Sequence, residues 1–242
     1  MKTISPQFLH LTSNTLDGID QLDPDNPKGY RPEKNLLHLN GTDLTPLTDS
    51  VFMNFDEIIM TRRTIRRFKQ IPLSLDFLKK LVNAARLAPS GANLQPLEYI
   101  IVNEKGICEK IFSALRWAGY IKPEWKPDES ERPVAYIVIL VRKGVSPFCD
   151  IDAGLSAENM MLLAWSYGIG SCMLGNIDRK KIKEILNVPD NYDVHSVIAL
   201  GFPAEKSVVE EMKDSVEYWR DENGVMHVPK RKLEDVLHVN GF

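Results

Sequence analysis

Apolar positions fall into short blocks separated by polar, turn-forming stretches. Val51, Phe55, Ile58 and Ile59 recur at helical spacing and predict a helix over 51–60. Ser74, followed by Leu75, Leu78, Leu81, Val82 and Ala85, predicts a second helix capped by the serine hydroxyl and ending near Leu87. Residues 97–102 read as a strand, and Ile107, Ile111, Phe112 and Leu115 predict a third helix. The valine- and isoleucine-rich run 134–141 has the composition of a strand buried on both faces. The longest helical pattern covers 150–167 and stops at Gly168. Its small residues Ala153, Gly154, Ser156 and Ala157 leave room for another helix, from this chain or from a second subunit. Asp178 is placed to cap a helix running to Leu186, and 194–200 reads as a further strand closed by Gly201-Phe202-Pro203. Helices and strands alternating through one core exclude an all-α or all-β fold, and no internal repeat is present.

The stretches between these blocks carry the candidate chemistry. Residues 61–68, Thr-Arg-Arg-Thr-Ile-Arg-Arg-Phe, place four arginines within six positions at a helix end. A solvated charge run is one reading. A held anion is the other, since Ile65 and Phe68 would tie the stretch to a core and the guanidinium fork matches phosphate oxygens. The loop 88–96, Ala-Pro-Ser-Gly-Ala-Asn-Leu-Gln-Pro, stands before a strand, where ligands are commonly held; an ordinary helix-to-strand connection is the competing reading. Residues 116–133 carry Trp117, Tyr120 and Trp125 among prolines and charges, as in a lid or a self-packed surface excursion. Asp150 and Asp152 fit carboxylates that cap a helix start and meet its dipole better than a metal pair. Residues 1–50 are turn-rich with isolated apolar pairs and read as an extended arm. The tail holds a second basic spot, Lys230-Arg231-Lys232.

Bulk properties narrow the choice. Lys+Arg 30 against Asp+Glu 33 gives a formal net charge of -3, which disfavours nucleic acid or an anionic membrane as partner. Cys108, Cys149 and Cys172 are odd in number and scattered, against a disulfide framework or zinc spacing, and lead us to expect a reducing cytoplasm. Polar residues from Ser5 to His10 interrupt any apolar leader, and no run approaches the ~20 apolar residues of a membrane span. Neither G-x-G-x-x-G nor a Walker motif occurs.

Taken in order, Arg62-Arg63-Thr64-x-Arg66-x-Phe68, Ala88-Pro89-Ser90-x-x-Asn93-x-Gln95-Pro96, Gly168-x-Gly170-x-Cys172-Met173-Leu174-Gly175, and Gly201-x-Pro203 with Lys230-Arg231 resemble the FMN-dependent nitroreductase family. The resemblance spans about 52 to the C-terminus, with the lid at about 106–133 and a C-terminal extension at about 204–242. It implies an α+β fold, a three-layer sandwich whose mixed, mainly antiparallel central sheet is flanked by helices. It also implies a homodimer with FMN at the subunit interface, and electron transfer from NADH or NADPH to a nitroaromatic, quinone or similar small acceptor. Carried over by position, Arg62, Arg63 and Thr64 would meet the FMN phosphate or ribityl chain, with Lys230 and Arg231 completing that grip. Arg66 would sit near the pyrimidine end of the flavin as an electrostatic group. Pro89, Ser90 and Gly91 would line the cofactor from the partner subunit, Asn93 and Gln95 would bond the ring system, and Met173, Leu174 and Gly175 would lie beside its reactive nitrogen.

With the chemistry in the cofactor, no catalytic acid or nucleophile is required of the chain. A flavin-binding sensor without turnover is the alternative on the same fold. Leu97 replaces a tryptophan frequent in the family, and Gly175 replaces an acidic residue of one branch. The Pro-Ser-Gly-Ala run also resembles the iodotyrosine deiodinase branch, whose lid pairs a Glu and a Tyr one turn apart; here Glu109 is followed by Ser113.

Overall fold

A computed structural model describes residues 54–242. The arm expected over 1–50 and the first predicted helical position, Val51, lie outside the described residues.

Helix α1 (Phe55–Thr61) opens with a capping box: Asn54 Oδ1 accepts from Glu57 N–H, and Glu57 Oε2 accepts from Asn54 N–H. Strand β1 (Phe68–Lys69) leads to helix α2 (Leu75–Ala85), where Ser74 Oγ accepts from Phe77 N–H at 3.2 Å as the sequence predicts. Strand β2 (Leu97–Val102), helix α3 (Lys105–Phe112), strand β3 (Ala135–Arg142), helix α4 (Cys149–Ser166), strand β4 (Gly170–Leu174), helix α5 (Arg179–Leu186) and strand β5 (Tyr192–Pro203) follow. The chain closes with β6 (Ser207–Glu211), β7 (Trp219–Arg220) and β8 (Met226–Lys230).

The main sheet has the order β1-β5-β3-β2, with β4 also on β5, and each of its ladders is antiparallel. A parallel bridge joins Thr64 to Ser171 at its margin. Strand β3 explains the layering, because its buried residues point alternately to two cores. Tyr136, Val138 and Leu140 meet Ile111 and Phe112 of α3 and Ile182 of α5, whereas Ile137 and Ile139 meet Leu78 and Leu81 of α2 and Met160 of α4. The fold is therefore α+β, helices on both faces of a mainly antiparallel sheet. A second, small sheet, β6-β8-β7, occupies the C-terminal part, with β6 and β8 parallel. No helix among the described residues is long and apolar enough to cross a membrane.

Several details differ from the pattern reading. On α2, Phe77 is buried and Leu75 is exposed: the inward stripe is Phe77, Leu78, Leu81 and Ala85. On α1 only Ile58 packs on the core; Phe55, Ile59 and Met60 are exposed. The small residues Ala153, Ser156 and Ala157 of α4 are covered within the chain, Ala153 and Ala157 in the same core as α2, while Gly154, Ile151 and Leu155 stay exposed. Residues 105–112, at the start of the stretch expected as a lid, are the core helix α3, and the irregular part begins at Ser113.

Candidate functional site

The arginine stretch is pressed against the sheet by two residues. Ile65 and Phe68 are buried, and Ile65 N–H donates to Ser171 O at 2.9 Å. Two glycines make this approach possible: a Cβ on Gly170 would stand 2.9 Å from Ile65 Cβ, and one on Gly201 would stand 2.9 Å from Phe68 Cβ. The glycine-containing motifs are thus packing partners of the arginine motif.

Held this way, the four arginines diverge. Arg62 Nε donates to Glu158 Oε1 at 3.0 Å on α4. Arg63 donates to the Met60 and Arg62 carbonyls, and its guanidinium pKa is lowered by burial and then by the neighbouring Arg62 charge. Arg66 lies over the Tyr218 ring, 4.5 Å from its centroid. Arg67 pairs through Nε with Glu131 at 3.1 Å and lies 5.6 Å from the Trp125 ring centroid.

Behind Arg66 and Arg67 stands Glu205, a residue that sequence reasoning missed. Its side chain is 1% exposed. Oε1 accepts from the Arg66 and Arg67 main-chain N–H groups at 2.5 and 3.2 Å, and Oε2 accepts from Arg220 Nη2 at 2.8 Å. Arg220 in turn lies over Trp125 at 4.5 Å, so two guanidinium groups stand within about 6 Å of one indole. Burial lowers the Arg220 pKa against the opposing pull of Glu205. The network ties the arginine stretch, the irregular segment after α3 and strand β7 together.

Arg66 and Tyr218 line a cleft of about 470 Å³ with Met173, Leu174 and Gly175 at the end of β4, and its lining extends to Arg116, Trp117 and Lys122 of the segment after α3. Among the described residues nothing lies within 4 Å of where a Gly175 Cβ would be, which leaves room for a ligand at the strand end. Cys172 also borders the cleft, but burial pushes its thiol up to about 11 and excludes it as a thiolate nucleophile at neutral pH. Burial does the same to Cys108. In the native protein a thiol reagent at pH 8 is therefore expected to leave Cys108 and Cys172 unmodified, with both reacting after denaturation; mass mapping of labelled peptides checks this.

The loop 88–96 is organised by Asp152. This carboxylate, 2% exposed, accepts from Ser90 Oγ at 2.8 Å and from Gly91 N–H at 2.9 Å. Ser90 Oγ accepts in turn from Gln95 N–H at 3.0 Å. Asp150 and Asp152 stand in the first turn of α4 as expected, but the N-cap residue, Phe148, makes no side-chain cap bond, and the Asp152 carboxylate reaches across to the loop. Asp150 remains exposed, 3.2 Å from His195 Nε2. Ala92, Asn93 and Gln95 have φ of 48°, 55° and 48°, left-handed values that cost non-glycine residues energy and need outside support. Asp152→Ala should lower stability by about 2 kcal/mol, because Ser90 Oγ and Gly91 N–H lose their acceptor; thermal unfolding and protease cleavage within 88–96 measure the effect.

The remaining expected site residues are dispersed. Pro89, Asn93 and Gln95 are exposed, with Gln95 Nε2 donating to Asn93 O at 3.2 Å. Lys230 ends β8, and Arg231 donates to Asp235 O; no hydrogen bond or ion pair among the described residues links Arg231 to Arg62, Thr64 or Arg66. The structure brings Arg66 and Met173 to Gly175 into one cleft and leaves the phosphate-grip candidates Arg62 and Arg231 with separate partners.

The sequence profile described as the nitroreductase family matches residues 59–202, from α1 through β5. The chain belongs to the nitroreductase family. An Archaeoglobus fulgidus protein with the provisional name NADH dehydrogenase/NAD(P)H nitroreductase is 32% identical over 166 residues, 65% of this chain and 90% of the relative. The Thermotoga neapolitana iodotyrosine deiodinase is 24% identical over 164 residues, 61% of this chain and 87% of that one. Among solved structures, an FMN-dependent nitroreductase of Clostridium difficile superposes with a TM-score of 0.55 at 27% identity, covering 76% of this chain and 98% of that one. Family membership makes this chain an oxidoreductase. In this chain Glu109 is committed to Arg132 at 2.6 Å, and the residue one turn on is Ser113.

Proposed function

We propose that the chain binds FMN and passes electrons from NADH or NADPH to a nitroaromatic, quinone or similar small acceptor, as a homodimer with the cofactor at the subunit interface. The observation that carries this reading is the meeting of Arg66, the open strand end at Gly175 and an aromatic-rich lid around one cleft. Among the described residues, Arg62 and Arg63 are adjacent guanidinium groups with one carboxylate partner between them, Glu158, so the pair retains positive charge suited to a phosphate. The donor set therefore fits FMN.

Bound FMN supplies the two-electron chemistry. The chain supplies the rest. Arg66 would stabilise negative charge on the reduced cofactor, its main chain fixed by Glu205 and its side chain backed by Tyr218. Asp152 holds Ser90 and Gly91 in a fixed loop for contact with the cofactor. Buried Trp117 and Ala118 restrict water on the lid side. The exposed apolar side chains Phe55, Ile59 and Met60 of α1 and Ile151 and Leu155 of α4 supply a surface for a second copy.

Steady-state NAD(P)H oxidation by the FMN-loaded protein, with and without a nitroaromatic or quinone, tests the reading; light scattering gives the oligomeric state. Acceptor-dependent turnover by a dimer is expected. Flavin that binds and is never reduced by either nicotinamide contradicts the enzyme reading in favour of a binding protein on the same fold.

A further inference from the structure

We propose that the cleft selects acceptors bearing an anionic substituent on a planar ring, a carboxylate above all, recognised by Arg116, Lys122 and the indole N–H of Trp117. The inference rests on the function proposed above and names the acceptor class for the same site.

Charge gives the first support. The cleft is lined by three cationic side chains, Arg66, Arg116 and Lys122, against one carboxylate, Glu124. This is a local excess of positive charge on a chain whose formal net charge is -3. Arg66 is backed by Tyr218 and assigned to the cofactor. The side chains of Arg116 and Lys122 have no ion pair or hydrogen bond among the described residues, so their charges are available.

The main chain of Arg116 is also fixed in place. Its N–H donates to Asn176 O at 3.1 Å, and Leu115 bridges to Ile177, which stitches the start of the lid to the segment just beyond Gly175. The guanidinium fork can take both oxygens of a carboxylate, a match that a neutral amide substituent does not offer.

Trp117 gives independent support. It lines the same cleft, is 6% exposed and packs at 5.7 Å, centroid to centroid, on Phe112. Its Nε1–H is shielded from solvent and meets no acceptor among the described residues. Buried donors are nearly always paired, so an oxygen brought by a bound acceptor would satisfy this one. Tyr218, set edge-on to Tyr120 at 5.0 Å, adds an aromatic wall for a planar ring.

The test is calorimetric binding of 4-nitrobenzoate and the near-isosteric, neutral 4-nitrobenzamide to the FMN-loaded full chain. A preference for the carboxylate of about tenfold is expected, ~1.4 kcal/mol. It should fall below about threefold in Arg116→Gln/Lys122→Gln and shrink as ionic strength rises. Trp117→Phe, which removes the N–H and keeps a ring, should weaken carboxylate binding more than amide binding. Equal affinities in the wild type, or a full preference surviving the double substitution, overturn the proposal. So does a double variant that changes only the ratio of NADPH to NADH binding, which would assign the two cations to the nicotinamide donor. The visible absorbance of the same samples reports FMN retention separately: a wild type that holds no flavin contradicts the proposed function, whereas flavin lost only from the double variant assigns the two cations to the cofactor and overturns the present proposal.

Discussion

Glu205→Ala is expected to lower the stability of the folded chain by about 3–5 kcal/mol, the cost of stripping one partner from a buried ion pair. The carboxylate is 1% exposed, its partner Arg220 12%, so neither group has much water to fall back on. Removal leaves the Arg220 guanidinium without its carboxylate partner and also deprives the Arg66 and Arg67 N–H groups of their acceptor. At about 2–4 °C per kcal/mol for a chain of this size, the midpoint of thermal unfolding should fall by about 10 °C. Replacing both partners, Glu205→Leu with Arg220→Met, should cost less than Glu205→Ala alone, because no charge is then stranded. A double variant as damaged as the sum of the two single variants would contradict the pairing.

Arg66→Ala is expected to slow NAD(P)H oxidation by about a hundredfold, the scale on which removal of one preorganised charge-stabilising donor acts. Its effect on stability should be small. The N–H that Glu205 accepts from belongs to the main chain and survives the substitution, and the side chain's recorded contact is the face of Tyr218. Arg67→Ala provides the contrast. It removes the Glu131 ion pair and one guanidinium from beside Trp125, so it should cost about 1 kcal/mol of stability with little effect on rate. Stopped-flow reduction by each nicotinamide, alongside thermal unfolding, separates the two. Equal rate losses in Arg66→Ala and Arg67→Ala would remove the distinction drawn between these residues.

The legible part of the fold was the part governed by local pattern. Ser74 and Asp178 cap the helices their sequence context indicates, and the apolar run of β3 is buried on both faces. The inward face of α2 was misread at its start because Leu75, Phe77 and Leu78 are all apolar; spacing alone does not say which of them the sheet covers. The short strands β7 and β8 were hidden for a different reason. Two residues carry no period, and the pairing of β8 with β6 spans a long turn-rich connection.

At the site, the arginine stretch drew attention because four arginines between apolar blocks are unusual, and the segment 173–175 entered through the family resemblance. Asp152 and Glu205 were missed as organisers because their partners are distant in sequence: 62 residues separate Ser90 from Asp152, and 139 separate Arg66 from Glu205. A carboxylate whose partners are that remote leaves no local trace. The Arg67–Glu131 pair is invisible for the same reason, since Glu131 lies in an irregular stretch without periodicity.

The central claim is that this chain is an FMN enzyme reduced by a nicotinamide, and an anaerobic visible-spectrum titration tests it most directly. The folded protein, supplied with FMN and freed of excess, should retain flavin stoichiometrically and lose its visible absorbance when NADH or NADPH is added. Folded protein that retains no flavin after reconstitution would contradict the account.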